Sequence, residues 1–394
     1  MARENNPLEP LRKISKPLLR EYFSRAAVLG QLSWDDPKAV DAEAIYAAMR
    51  ELDAPVRASL QRALEDIDEM SDADGSRALS EDILRGASNK VAEFKELQKH
   101  GDRAMWAYLH LPKIFERAAA FAEAAHLARG RSWVKRNGLP VPTPDRPFVT
   151  TEEMKDSLGK ALTAFHSKEL RGDGCTVRPL TRADGAEYFF ASLDDYPYVV
   201  PVWRDGKIVD GLAVSRFAHT FVYTPKAGTL EISAAGGKRV HGPLHTIFGK
   251  AIFGIDLPIT DPIKPAYELR HLMKRSRVLR TDPLDPVDSP RLTRLILEPI
   301  DHPSEPITVE ADPDRGPDRI DDVLDRLLRD DVRSFERWRV IGARFHLNLK
   351  PAAKKRHPTM QFSVSQHHCD LRSRPDEVRA WGERTLALSG VSFG

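Results

Sequence analysis

Asn137-Gly138-Leu139-Pro140-Val141-Pro142-Thr143-Pro144-Asp145-Arg146-Pro147 places four prolines within eight residues. Proline removes backbone donors and fixes φ, so no helix continues through this stretch and an extended connector is expected over 139–150. The hydrophobic period changes across it. On the N-terminal side Val56, Leu60, Leu64 and Ile67 step at three and four residues, as do Ile114, Ala118, Phe121 and Ala125. Both are single apolar stripes of helices. No run of alternating β-branched residues precedes Gly138, so residues 1–138 read as an all-α domain.

On the C-terminal side the period mixes. Thr151-Glu152-Glu153 opens a helix with the stripe Met154, Leu158, Leu162 and Phe165, stopped by Gly172 or Gly174. Strand-like pieces follow at Cys175–Pro179, Glu187–Ser192 and Tyr198–Trp203, then a tight turn at Arg204-Asp205-Gly206-Lys207, where Asp-Gly tolerates positive φ. The plainest hairpin is Phe217–Tyr223, the turn Thr224–Gly228, and Thr229–Ser233, before an apolar helical face through Leu244, Ile247, Phe248 and Ile252. Further on, strands are expected at Arg291–Leu297, Pro306–Glu310, Val340–Leu349 and Thr359–Ser365, with helices at Ile320–Leu328 and Asp376–Leu388. The expected fold is therefore multidomain: an all-α N-terminal domain followed by one or two α+β modules with mainly antiparallel sheets, at 151–260 and 261–394.

Length and composition agree. The chain has 394 residues, enough for two or three domains, with 41% hydrophobic and 30% charged residues and a net charge of +2. Mean hydropathy is −0.43, and no stretch reaches the ~18 consecutive apolar residues of a membrane span. The first residues lack the apolar core of a signal peptide, and two cysteines, Cys175 and Cys369, make no disulfide framework. A cytoplasmic location without membrane contact is the expectation. Forty arginines against twenty lysines fit a GC-rich bacterial genome.

Catalytic signatures are incomplete. Gly236-Gly237-Lys238-Arg239 resembles the end of a phosphate loop, but Ile232 stands at the first glycine and Arg239 at the Ser/Thr position. There is no G-x-S-x-G and no G-x-G-x-x-G after a strand, so no cofactor is expected. His241 and His245 have zincin spacing, but Gly242-Pro243 lies between them and no Glu follows the first, so a cap and a surface residue are expected. Gln366-His367-His368-Cys369-Asp370 offers His367, His368 and Cys369 as a runner-up metal site, short of the three or four ligands zinc requires on one side. Asp194 and Asp195, ahead of Asp205 and Lys207, are the nearest approach to a Mg²⁺-dependent nuclease, with carboxylates for the metal and lysine orienting water.

Charge distribution stands out most. Asp35–Asp82 has fourteen acidic and five basic residues, whereas Arg270–Arg280 has five cations, among them Lys274, Arg275 and Arg277, and no acid. Arg333–His357 has eight cations, including Lys350, Lys354, Lys355 and Arg356, against Glu336 alone, interleaved with Phe335, Trp338 and Phe345. Basic runs with aromatics can neutralise phosphates while rings stack on bases. The expectation is a non-catalytic binding protein, an accessory subunit of a bacterial nucleic-acid-handling or antiviral defence complex, with protein partners and phosphate-backbone contact. The alternatives are the divergent nuclease and a protein-interaction scaffold without nucleic acid. Oligomeric state is left open.

Overall fold

The computed structural model describes residues 6–36, 40–128, 133–182, 184–204, 206–256, 265–316, 319–332, 337–350, 359–374 and 376–392. Compactness divides the chain into two units, Met1–Leu127 and Ala128–Gly394.

The first unit is helical: α1 Glu9–Lys13, α2 Lys16–Arg25, α3 Ala42–Arg50, α4 Ala54–Glu69, α5 Ala73–Gly86, α6 Val91–Glu96, α7 His100–His110 and α8 Pro112–Ala128. Aspartates cap two of them. Asp41 accepts from the Ala44 N–H at 2.8 Å and Asp72 from the Gly75 N–H at 2.7 Å, satisfying donors the first turn leaves open. The stripe read from α4 is buried at Leu60, Leu64 and Ile67, while Val56 at its start is exposed. These side chains join Phe23, Ile45, Met105 and Phe115 in one core.

The second unit begins with β1, Trp133–Asn137, then α9 Glu152–His166, β2 Cys175–Thr181, β3 Glu187–Arg204, β4 Lys207–Thr224, β5 Thr229–Ser233 and α10 Lys238–Phe248. The strands form an antiparallel sheet in the order β1-β5-β4-β3-β2. One face carries Phe189, Phe221 and Ile232 against α9 and α10, with Phe221 stacked on Phe248 at 5.2 Å. The opposite face carries the register row Tyr188, Val222, Glu231 and Lys135, which the segment after β9 covers. Every residue of β5 is buried because both faces are covered.

A second antiparallel sheet, in the order β7-β6-β8-β9, is built from β6 Val287–Pro299, β7 Ile307–Glu310, β8 Trp338–Leu349 and β9 Thr359–Ser365. In β9, Met360, Phe362 and Val364 are buried and alternate with exposed residues, the mark of a strand with one wet face. Ile320, Leu324 and Leu328 of α11, Arg319–Val332, and Leu386 of α12, Asp376–Leu388, close this core.

One expectation is corrected, and two points are added to it. Residues 133–137 are a strand rather than the end of a helical domain, because Trp133–Asn137 pairs in register with Ser233–Thr229, a partner far along the chain. The proline-rich connector is docked: Leu139 is buried and its N–H donates to Gly228 O at 2.9 Å, and the Tyr223 hydroxyl donates to Pro140 O. The two sheets have separate cores but share the second compact unit, joined where the Lys135 N–H donates to His367 O at 2.8 Å and where Arg372 meets Glu231 and Tyr188.

Candidate functional site

β2 accompanies β3 only as far as Leu193, and β5 accompanies β4 only over Thr220–Thr224. Beyond the Asp194–Arg216 pair the two long strands continue alone, as a two-stranded ribbon to the Arg204–Lys207 pair at its tip. The sequence favours this locally. Val199, Val200, Val202, Ile208, Val209 and Val214 suit an extended backbone, and Gly206 takes the positive φ of 75° that the tight turn demands.

Residues directly opposite in an antiparallel pair share a face. The pairs Pro197/Val214, Val199/Leu212, Pro201/Asp210 and Trp203/Ile208 therefore make one side of the ribbon. On it Val199 is 64% exposed, Trp203 73%, Ile208 68%, Leu212 75% and Val214 50%. Among the eight residues only Asp210 is charged. The other side, Tyr198/Ala213, Val200/Gly211 and Val202/Val209, partly covers itself. A Cβ on Gly211 would lie 2.8 Å from a Val202 methyl, so the missing side chain lets Val202 fold down there. The ribbon is thus apolar and open on one face.

Its base is held firmly. A bulge between Asp194 and Pro197 redirects β3. The Gly172 N–H donates to Asp194 O at 2.8 Å and the Asp194 N–H to Gly174 O at 3.0 Å, and the Tyr196 hydroxyl donates to Glu169 O at 2.8 Å. Arg171 lies 4.5 Å over the Phe217 ring and bonds Glu169, whose carboxyl it holds below its ordinary range. Beneath, the Nε2 atoms of His166 and His219 meet at 2.8 Å, so one ring donates and the other accepts. Burial, then the Arg171 charge, lowers the His166 pKa.

The sequence-derived residues fall as follows. Asp194 is bonded by Arg216 at 3.0 Å and Asp195 lies 3.7 Å from Arg171, both at the ribbon base. Lys207 is at the tip, roughly 25–30 Å along the ladder, so the nuclease constellation is not brought together; Asp205 lies outside the described residues. Arg277 is in a buried bidentate pair with Asp321 at 2.8 and 2.6 Å. Arg275 bonds Asp325, and Lys274 begins the turn whose carbonyl accepts from the Arg277 N–H and side chain. Lys350 donates to Asp285 O at 3.0 Å, while Lys354, Lys355 and Arg356 lie outside the described residues. The basic run at 270–280 thus faces the acidic side of α11, a pairing invisible in charge counted along the chain.

His367 and His368 flank the β1 junction, and Cys369 is buried with its thiol pushed up to about 12 by desolvation. Among the described residues no group of three or more His, Cys, Asp or Glu is placed to hold a metal ion. His241 and His245 are not a cap and a surface residue: α10 starts at Lys238, includes Pro243, and buries both. His241 meets Ala234 O at 3.1 Å, but among the described residues neither ring nitrogen of His245 has a hydrogen-bond partner.

That orphan sets a pH dependence. Burial, then the charges of Arg136, His241 and His367, hold the His245 pKa well below the usual range, and burial lowers His241 too. On acidification the unfolded chain takes up these protons first, so the stabilising difference is complete above about pH 6.5 and lost as pH falls below it. His245→Leu removes a buried unpaired group that costs about 1–3 kcal/mol. Thermal melts from pH 7.5 to 5 should fall less steeply for the variant, with a higher Tm at pH 5.5; an equal or steeper fall would contradict the assignment.

The ribbon is half legible in the sequence: Tyr198–Trp203 and the turn read as β, but its length and open face do not, since Pro197 interrupts the strand pattern. No family model and no curated protein matches this chain.

Proposed function

We propose that the chain is a non-catalytic binding protein, a subunit of a larger assembly, which holds a protein partner on the apolar face of its ribbon. The observation that carries this is the contiguous exposure of Val199, Trp203, Ile208, Leu212 and Val214 on one side of a firmly rooted projection. Soluble chains seldom leave such a continuous apolar patch uncovered, and Trp is among the residue types that most often anchor an interface. Protein docking is favoured over phosphate contact because Arg275, Arg277, Arg339 and Arg344 are matched to carboxylates. The fitting partner is an apolar strand or helix face with carboxylates near the ribbon tip, where Arg204 and Lys207 stand exposed.

Trp203→Asp with Leu212→Asp tests it. Both side chains are exposed, so Tm should stay within a degree or two of wild type. Affinity purification from the native cells, read by quantitative mass spectrometry, should show specific partners depleted at least tenfold in the variant. Unchanged partners would refute the proposal. So would binding of a 30-mer DNA or RNA at 150 mM salt that the variant retains.

A further inference from the structure

The two edges of the ribbon are not alike. Pro197 and Pro201 lie on β3, opposite Val214 and Asp210. Proline cannot donate to the neighbouring strand, so these pairs are the ones whose backbone groups point outward, away from the hairpin partner. The outer edge of β3 therefore lacks two of its donors, a common guard against strand addition. By the same register the outward groups of β4 belong to Ile208, Asp210, Leu212, Val214 and Arg216, and none is proline. One edge is blocked and the other is open.

The open edge is complementary to itself. Asp210-Gly211-Leu212-Ala213-Val214-Ser215-Arg216, laid antiparallel on a second copy about a two-fold axis at Ala213, sets Asp210 beside Arg216, Leu212 beside Val214, and Ala213 beside Ala213. The residues that meet as hydrogen-bonded pairs are the ones whose backbone groups point outward, so register and side-chain matching agree. Asp210 is exposed and unpaired among the described residues, and Arg216 keeps donors beyond its bond to Asp194. From these observations we infer that two copies of the chain associate through the β4 edge of the ribbon, making a four-stranded intermolecular sheet whose apolar face is doubled. The inference concerns the ribbon's edge, not the partner held on its face. Seven residues span about 24 Å, which places the contact at the small end of specific interfaces.

The test uses the full chain in sedimentation velocity from 1 to 200 µM, with disulfide trapping of Ala213→Cys at pH 8. Ala213 on the axis meets its own copy in a non-hydrogen-bonded pair, where Cβ atoms come closest. The native thiols interfere little, since burial pushes Cys175 up to about 11 and Cys369 up to about 12. Expected are a concentration-dependent dimer and a cross-linked Ala213→Cys dimer. Val214→Pro removes one outward donor and should abolish both. Asp210→Arg, which sets like charges opposite each other and leaves the hairpin donors intact, should weaken the dimer at least tenfold. A wild-type monomer at 200 µM, or cross-linking that survives Asp210→Arg undiminished, would overturn the inference. Trp203→Asp alone separates it from the docking proposal: that variant should lose the partner on the face yet still dimerise.

Discussion

Glu231→Ala is expected to lower the stability of the 128–394 unit by about 3–5 kcal/mol, the usual cost of stranding one member of a buried ion pair. The Arg372–Glu231 pair is about nine-tenths buried on both sides. Arg372 also donates to the Tyr188 hydroxyl at 2.8 Å and lies 5.7 Å over the Trp133 ring. Three strands of the first sheet, β1, β3 and β5, thus meet one guanidinium carried by the segment after β9. Without Glu231 that charge keeps its desolvation cost and loses its counter-ion. Tyr188→Phe, which removes only a hydroxyl, should cost about 1 kcal/mol. Urea unfolding measures both. Pairing Glu231→Leu with Arg372→Met should recover much of the loss; a double variant as unstable as Glu231→Ala would place the effect in shape rather than charge.

Arg277→Ala should cost a similar 3–5 kcal/mol, whereas Arg275→Ala, two residues earlier in the same basic run, should cost under about 1 kcal/mol. The Arg277 and Asp321 side chains are 6% and 2% exposed and doubly bonded, while Arg275 is 62% exposed beside Asp325. A phosphate-binding role would predict the opposite pattern: near-neutral stability for both and a loss of nucleic-acid affinity in each. Urea midpoints with a matched gel shift separate the two. Comparable, small stability changes at both positions would show that the Arg277–Asp321 contact is not the anchor described.

The sequence reveals most where the pattern is local. β9 and α12 have the bounds their periodicity implies, because alternation in Thr359–Ser365 and the apolar stripe of Asp376–Leu388 need no distant partner. It fails where a partner is remote. Trp133–Asn137 carries Lys135, Arg136 and Asn137 and is a strand only because β5 lies beside it. The continuity of β3 is hidden by Pro197, which signals a loop locally but fits an edge position with its missing donor turned outward. The cations at 270–280 look unopposed until α11 folds over them. Of the candidate site, the turn and the β-branched run can be read directly; the open face depends on β2 and β5 ending short of the tip, which no local pattern encodes.

The placement of β1 also imposes an order of events during synthesis. Trp133–Asn137 emerges from the ribosome about a hundred residues before Thr229–Ser233, which it pairs with. At about 5–20 residues per second, the strand waits on the order of 5–20 s for that neighbour. It waits more than twice as long for the His367 carbonyl that accepts from Lys135. During that interval Trp133 and Val134 are exposed to whatever else is nascent nearby, including the same segment of the next chain on a polysome. The helices encoded before it close their own backbone hydrogen bonds as they emerge, although α1 and α2 also wait for α7, where the Ser15 N–H donates to Asp102 and Arg25 to Leu109 O. A stalled chain with residues up to about 240 outside the ribosome should therefore have this segment protected from proteolysis, while one with only the residues before 225 outside should not.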